Sequence, residues 1–338
     1  MADPVPSCWI ASLMLSAAAC TGLADAPEEA TRKAVERGLR RLETGAGNYV
    51  QNRQCFSCHH QALTLAAMRS ARDRGFKIDE ERFTEQLEFT LDTFRPSLDS
   101  VRKGQSVPGA STMTAYALYA LEHAGHKPDE VSAALVEYLL VRQDPAGFWP
   151  ALARRPPTEG SRFTNAALAL RALAAYAPEA AQTRKRIATA IDSGRAWLLA
   201  ARPADTEDRM FLLRGLVTAK ADPKRIEAVR DELLADQKDD GSWAQLPGAR
   251  GDAYATGGVL MALRYAGLSP SHPAYQKGVR YLVKTQKDDG SWFVQTRSQP
   301  VQKFFDNGDP GGKSQFICMA ATGWAVQALL EVFPLTNR

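Results

Sequence analysis

One short motif, Cys55-Phe-Ser-Cys58-His59-His60, has the residue types and spacing for cofactor chemistry. Cys-x-x-Cys-His is the attachment sequence of c-type haem, in which two thioethers hold the porphyrin and the histidine binds the iron. The motif therefore predicts haem ligation by Cys55, Cys58 and His59. Four other residues are candidates for a second axial ligand, although no sequence pattern singles one out: His60, His123, His126 and Met319.

Two further interpretations of this motif stay open. The two cysteines can form a local disulfide or cap a helix, with no cofactor bound. Zinc is the other alternative, because thiolates and imidazoles bind Zn²⁺ and three protein ligands with one open position make a catalytic site. The zinc ligands would come from Cys58, His59, His60 and Cys318.

A structural unit that is repeated along the chain must position these residues. Three similar segments, Gln143-Asp-Pro-Ala-Gly-Phe-Trp149, Gln237-Lys-Asp-Asp-Gly-Ser-Trp243 and Gln286-Lys-Asp-Asp-Gly-Ser-Trp292, each follow an amphipathic helical run and precede an Ala/Leu-rich one. A recurrence at this interval indicates one supersecondary unit repeated along the chain. The glycine permits a tight turn and the tryptophan can pack between neighbouring helices. We therefore predict that the three segments hold helices together, and we call them staples.

Helical periodicity predicts about twelve helices and no strands. Amphipathic, charged helices alternate with helices that are apolar on nearly all sides, and a helix of the second kind must be surrounded by protein. The pattern predicts an all-α fold, an α6/α6 toroid in which six inner helices are wrapped by six outer ones. The predicted bounds are 28–43, 58–74, 79–95, 111–124, 128–142, 162–176, 178–200, 206–220, 223–237, 252–266, 271–286 and 316–333.

The Gln…Asp-Gly-Ser-Trp segments resemble the QW motifs of the squalene–hopene cyclase and prenyltransferase superfamily. The resemblance implies a toroid over about residues 28–338, a deep apolar cavity and an apolar or isoprenoid-like small molecule as partner. Class II cyclases protonate an alkene with the acid of an Asp-x-Asp-Asp motif, which is absent here. The nearest string is Asp205-Thr-Glu-Asp208, where Glu replaces the proton-donating Asp. Standard squalene cyclisation is therefore not expected, and a related isoprenoid-processing enzyme is the alternative function.

Alternation places the start of every inner helix at one rim of the toroid. The candidate catalytic acids there are Asp208 and Asp252, although acids at helix starts also serve as caps. A closed ring makes the last inner helix a neighbour of the first, so Cys318 is expected near Cys58. A long connection, residues 293–315, is expected to hang over this rim as a lid or as a wrap. Its candidate residues are Arg297, Phe304, Phe305, Asp306 and Lys313.

The composition and the N-terminus bound the remaining function classes. The formal charge is +4 and the basic residues are scattered, which does not favour nucleic-acid binding. Residues 1–26 contain a short apolar stretch and an Ala24-Asp25-Ala26 cleavage site, which predict a signal peptide and export of a single domain, 27–338. Lipid anchoring at Cys20 is the less favoured alternative, because the preceding residues make a poor lipobox. No integral membrane segment is expected, and the oligomeric state is not predicted.

Overall fold

The computed structural model describes residues 28–153, 155–177, 180–299, 304, 306, 307 and 309–336. The segment 1–26 that we interpret as an export signal, Cys20 within it and Phe305 of the long connection lie outside the described residues. Within the described ranges, no helix combines the length and apolar character needed to cross a membrane.

The described residues form thirteen α-helices, and their only β-pairings are two isolated bridges. The all-α prediction is therefore confirmed. The helices are α1 Glu28–Asn52, α2 Leu63–Arg72, α3 Glu80–Phe94, α4 Leu98–Arg102, α5 Ala110–Ala124, α6 Glu130–Arg142, α7 Arg162–Ala175, α8 Ala181–Ala200, α9 Thr206–Thr218, α10 Pro223–Ala235, α11 Ala253–Tyr265, α12 Pro273–Thr285 and α13 Gln315–Leu330.

The helices form two concentric rings. The inner ring is α2, α5, α7, α9, α11 and α13, each packed on the next, and α13 packs on α2 to close it. The outer ring is α1, α3, α6, α8, α10 and α12, and the short α4 packs against α6. The α6/α6 toroid expected from the alternation is thus the observed architecture.

Small residues let the inner helices approach closely. A Cβ atom on Gly257 of α11 would lie 2.7 Å from the backbone carbonyl carbon of Trp324 in α13. A Cβ on Gly323 of α13 would lie 2.7 Å from the Cβ of Leu63 at the start of α2. These glycines therefore set the distance at which the last inner helix meets its two neighbours in the ring.

The three repeated segments make the same contacts. The tryptophan indole N–H donates to the carbonyl of a leucine in the preceding outer helix, as from Trp292 to Leu282 at 2.9 Å. The glutamine amide donates to its own turn and to the next outer helix, as from Gln286 to Gly290 at 3.0 Å and to Ala34 at 2.8 Å. The predicted staples are confirmed, and the third one joins α12 to α1 and so closes the outer ring.

One helix boundary differs strongly from the sequence prediction. Helix α1 continues to Asn52 instead of ending near residue 43, in spite of Gly45 and Gly47. Both glycines lie at close contacts, because a Cβ on Gly45 would be 2.9 Å from Met319 Sδ and one on Gly47 would be 2.5 Å from Arg82 Cζ. Tertiary packing here outweighs the low helix propensity of glycine.

Trp292 of the third staple is fully buried, so its replacement should have a large effect on stability. We expect Trp292→Ala to lower the free energy of unfolding by about 3–5 kcal/mol, because it leaves a cavity between α12 and the inner ring. Trp292→Phe keeps most of the apolar volume, and we expect it to cost less. The exposed Asp288 of the same segment provides the control, since Asp288→Ala should change the value by less than about 0.5 kcal/mol. Equal losses in all three variants, measured by denaturant unfolding, would contradict this account.

Candidate functional site

The Cys-x-x-Cys-His motif enters the inner ring through a turn of π-helix, Cys58–Ala62, directly before α2. The carboxamide of Gln61 accepts a hydrogen bond from the backbone N–H of Ser57 at 2.9 Å and so holds the start of the turn. Cys58, His59 and His60 are all buried as a result, with exposures of 1%, 8% and 0%. π-Turns of this kind are frequent at functional sites because they direct consecutive side chains into a protein interior.

Three chemically suitable side chains meet beside this turn. One ligand atom each from Cys58, His59 and Glu159 lie within 4.8 Å of one another, and all three residues are buried. The Cys58 sulfur is 3.3 Å from Nδ1 of His59. Glu159 comes from the connection between α6 and α7, far from the motif in sequence. We name Cys58, His59 and Glu159 the rim cluster.

Neighbouring residues fix the orientation of the rim cluster. Nε2 of His59 lies 3.1 Å from the Thr158 hydroxyl, while Glu159 forms an ion pair with Arg155. Burial, followed by the nearby Arg155 charge, lowers the pKa of His59 to about 3. Burial also raises the pKa of Cys58 and of Glu159 above their ordinary values. The imidazole of His59 is therefore neutral, which is the form that binds a metal.

His60 has a different role from the one that the zinc prediction gave it. Its Nδ1 lies 3.2 Å from the Ser57 hydroxyl, its Nε2 contacts the side-chain amide of Asn307, and its ring stacks on Tyr49 at 4.3 Å. These contacts direct both ring nitrogens away from the rim cluster. His60 links the π-turn to the long connection instead.

The other two cysteines are also separate from the rim cluster. Ring closure brings α13 to the π-turn as expected, but the residue that meets His59 is Phe316, with ring centroids 5.8 Å apart. The Cys318 sulfur faces the backbone of Val294, 3.4 Å from its N–H and 3.5 Å from its carbonyl. Cys55 is exposed and its sulfur lies 3.6 Å from the Tyr49 hydroxyl. The four zinc ligands predicted from the sequence are therefore not gathered in one place.

The described part of the connection 293–315 lies across the same rim. Arg297 donates to the Gln245 side chain at 2.8 Å, and the Ser298 hydroxyl donates to the Pro156 carbonyl at 2.7 Å. Within the connection, Asn307 and Asp309 are buried, whereas Phe304 is 54% exposed. The connection thus contacts the loops that precede α7 and α11, including the loop that carries Glu159.

The two acids predicted as catalytic are helix-start residues with structural partners. Asp208 accepts hydrogen bonds from the Ser161 hydroxyl at 2.6 Å and from the Ala204 N–H at 2.9 Å. Asp252 is the N-cap of α11, accepting from the Ala255 N–H at 2.9 Å and from the Gln245 amide at 3.0 Å. These contacts support the capping alternative for both residues.

Glu207 is the acid that the sequence prediction missed. It is 3% exposed, and its carboxyl accepts hydrogen bonds from Thr164 at 2.8 Å and from Tyr254 at 2.9 Å. Burial raises the pKa of Glu207 to about 8, so this carboxyl is largely protonated at neutral pH. Its place within Asp205-Thr-Glu-Asp208, where cyclases have their acid, was the available signal.

Four large aromatic side chains lie inside the inner ring. Tyr116, Phe211, Tyr254 and Trp324 project from four inner helices and are at most 1% exposed. Two depressions of about 190 and 390 Å³ lie on the outside of the toroid, the second of them formed by residues 50–54.

The arrangement does not fit covalent haem. Attachment requires both cysteine sulfurs along one edge of the porphyrin and a free imidazole nitrogen facing the iron. Cys55 is exposed while Cys58 is enclosed, and the Nε2 of His59 is engaged by Thr158. Cys58 and His59 are also buried and in mutual contact.

The fold and the repeats define a class of protein, an α/α toroid joined by Gln…Gly…Trp turns. Within that class, residues 173–335 match the sequence profile of the squalene–hopene cyclase C-terminal domain. The squalene–hopene cyclase of Zymomonas mobilis is 44% identical over 112 residues, which cover 33% of this chain and 16% of that enzyme. That of Alicyclobacillus acidocaldarius is 32% identical over 77 residues, covering 23% and 12%. The matches therefore span less than a fifth of either enzyme's length.

Solved structures show the same fold at low identity. The type II terpene cyclase MstE from Scytonema is 12% identical with a TM-score of 0.55, covering 90% of this chain and 99% of that one. A variant of MstE has been solved with its substrate geranylgeranyl dihydroxybenzoate. A possible GH105 member from Salmonella enterica is 11% identical with a TM-score of 0.55, covering 96% and 99%. The predicted cyclase-like toroid is confirmed.

The burial of Glu207 predicts a pH-dependent stability. Its pKa in the folded protein, about 8, lies above the ordinary value of 4.5, so the stabilisation is complete below about pH 4.5 and is lost as the pH rises to 8. We expect Glu207→Gln, which cannot ionise, to remove up to about 4 kcal/mol of this decline. The measurement is the free energy of unfolding of both proteins from pH 4.5 to 8.5. Parallel curves for the two proteins would show that Glu207 is not buried as a neutral acid.

Proposed function

We propose that this protein binds one Zn²⁺ ion through Cys58, His59 and Glu159 and is a metal-dependent enzyme acting on an apolar, isoprenoid-like molecule. The observation that carries the proposal is the approach of a thiol, an imidazole and a carboxylate to within 4.8 Å of one another in a buried site. Thiolate, imidazole and carboxylate are the three kinds of side-chain group that bind zinc in proteins. A site with three such ligands leaves a fourth position open, as in catalytic zinc sites.

The surroundings of His59 support this choice of ion. Ligating histidines usually direct their second ring nitrogen to a hydrogen-bonding group, which fixes the ring and its tautomer. Each ring nitrogen of His59 has a hydroxyl nearby, since Nε2 lies 3.1 Å from that of Thr158 and Nδ1 lies 3.4 Å from that of Ser57. The Cys58 sulfur lies 3.3 Å from Nδ1 and 3.7 Å from Nε2. The 3.3 Å between Nδ1 and the Cys58 sulfur is close to the separation of roughly 3.5 Å expected for two ligands on one tetrahedral zinc.

The chemistry of such a site divides between the ion and the chain. Bound Zn²⁺ supplies a Lewis acid or lowers the pKa of a bound water. Thr158 holds the His59 ring, and Arg155 holds the Glu159 carboxylate. Phe316 covers the two histidine rings and makes the adjoining wall apolar. Described residues of the connection 293–315 contact the loops around the rim, as Arg297 does with Gln245 and Ser298 with Pro156.

The substrate class rests on the cyclase-like repeats. The family of the profile match and the MstE complex both concern isoprenoid compounds, and the site lies at the inner-helix rim of the same fold. An apolar small molecule is therefore the partner class that we propose, with the chemical group to be transformed placed at the rim.

The metal proposal predicts a specific pattern of zinc loss. We expect the purified chain to hold one zinc per molecule by inductively coupled plasma mass spectrometry. Cys58→Ser and Glu159→Gln should each weaken zinc binding by at least 100-fold, because each removes a ligand, and Thr158→Val should weaken it by roughly 10- to 100-fold. Retention of full zinc affinity by Cys58→Ser would overturn the proposal.

Matched controls come from the other cysteines. Cys318→Ser and Cys55→Ser should keep their zinc, because both sulfurs lie outside the rim cluster. An absorption spectrum of the protein co-expressed with haem-attachment machinery tests the competing cofactor. We expect no Soret band after denaturation, whereas a band that is lost in Cys58→Ala would replace zinc by haem.

We infer proton donation by Glu207 as a second candidate function, supported by its buried, neutral carboxyl within Asp205-Thr-Glu-Asp208. Its catalysis would be proton transfer from the Glu207 carboxyl to an alkene, which requires the protonated form and leaves Glu207 as a carboxylate and the substrate as a carbocation. Conversion of linear polyprenyl substrates, followed by mass spectrometry, should fall as the pH rises through about 8 and should disappear in Glu207→Gln. Conversion that survives in Glu207→Gln would exclude this role.

A further inference from the structure

A single arginine occupies the middle of the toroid. Arg214 of α9 is 7% exposed, and its guanidinium carbon lies 5.2–5.8 Å from the ring centroids of four aromatic side chains. Three of these rings belong to other inner helices, so Arg214 reaches across the toroid from α9 to α5, α11 and α13. The four aromatic residues are Tyr119, Phe211, Tyr265 and Trp324.

Arg214 has no counter-charge among the described residues. Its guanidinium lies near aromatic rings and takes part in none of the hydrogen bonds or ion pairs of the described residues. Its neighbour Arg171, which lies over two of the same rings, is held by both carboxylate oxygens of Glu122 at 2.6 and 3.0 Å. Two buried arginines thus share the aromatic cluster with one carboxylate. A guanidinium has five N–H donors, and aromatic faces accept its charge without satisfying them.

Further donors near the axis are also without partners. The indole N–H of Trp324 and the hydroxyl of Tyr116 are buried and make no hydrogen bond. The Trp324 ring is itself in contact with Arg214, and the charge of Arg214 acts on the pKa of Tyr116. Buried polar groups are nearly always paired, so a group of orphaned donors around a buried cation indicates a missing acceptor.

We propose that the toroid binds a small oxyanion, a carboxylate or a phosphate group, at Arg214. Such a group accepts two parallel hydrogen bonds from a guanidinium and neutralises its charge. The route of entry is the end of the inner ring opposite the rim cluster, where Tyr265 is 38% exposed and Arg171 is partly exposed. The ligand is either a free anion or the acidic head of a larger molecule.

This site is separate from the zinc proposal and does not depend on it. Arg214 lies seven residues beyond Glu207 on α9, roughly 10 Å further from the rim along the helix axis. No residue of the rim cluster contacts Arg214 in the described structure. An anion site at Arg214 can therefore hold or fail whatever the rim cluster binds.

The test is anion-dependent stability of the full chain. Thermal unfolding is measured with inorganic phosphate, methyl phosphate or acetate at constant ionic strength in sodium chloride. A ligand that binds only the folded state raises the melting temperature, and we expect a rise of at least about 2 °C with the preferred anion at saturation. Preference for phosphate or for acetate identifies the head group, and a larger shift with methyl phosphate than with phosphate indicates an esterified ligand.

Variants distinguish the site from bulk salt effects, since phosphate stabilises many proteins without binding them. Arg214→Met should lose the specific shift, Arg214→Lys should reduce it, and the exposed Arg195→Met should keep it. A shift of the same size in Arg214→Met as in the natural protein would overturn the proposal.

A second measurement covers the case in which Arg214→Met does not fold. In the natural protein labelled with ¹⁵N-arginine, the Nε–H resonance of Arg214, assigned through Arg214→Lys, should move on titration with the anion. A titration with phosphate and acetate that leaves this resonance unmoved would refute the anion site.

Discussion

Close approach of backbone to backbone at the staple glycines is the constraint on which the toroid depends. Gly147, Gly241 and Gly290 all have positive φ angles, and a Cβ on each would lie 2.3–2.4 Å from a carbonyl oxygen of the next outer helix. Any other residue would be strained twice, by the backbone conformation and by the contact. At Gly290 that carbonyl belongs to Arg37 of α1, so the joint between the end and the beginning of the chain uses the same device as the internal joints.

Closure of the ring is what gives the rim its chemistry. The π-turn precedes the first inner helix, and Phe316 lies at the start of the last one. The rings of His59 and His60 nevertheless lie within 6 Å of the Phe316 ring because α13 packs on α2. Glu159 reaches the same place from the third inner helix's preceding loop. The toroid therefore brings together side chains from distant parts of the sequence, and it separates a rim of thiol, imidazole and carboxylate from an opposite end that carries Arg171.

Local patterns predicted the elements well because local physics determines them. The alternation of amphipathic and apolar helices gave the two rings, and the repeated glutamine, glycine and tryptophan predicted the staples. The predicted end of α1 was wrong because the helix continues through Gly45 and Gly47. These glycines are explained only by their contacts with Met319 and Arg82. Two of the three residues of the rim cluster were predicted from the sequence. Cys58 and His59 stand in a motif, whereas Glu159 lies in an irregular loop whose path no periodicity determines.

The inward position of Arg214 could not be predicted from the sequence for a similar reason. Arg214 stands in an apolar helix, Arg-Met-Phe-Leu-Leu-Arg-Gly-Leu, where it resembles an ordinary charged position. Only the ring of four aromatic side chains from four helices shows that it points inward.

The long connection joins parts of the rim that otherwise have no common element. Ser298 bonds to Pro156 in the loop of Glu159, and Asn307 bonds to His60 in the π-turn. Whatever stabilises the rim cluster therefore also favours the seated position of the connection, and by thermodynamic reciprocity displacement of the connection loosens the cluster.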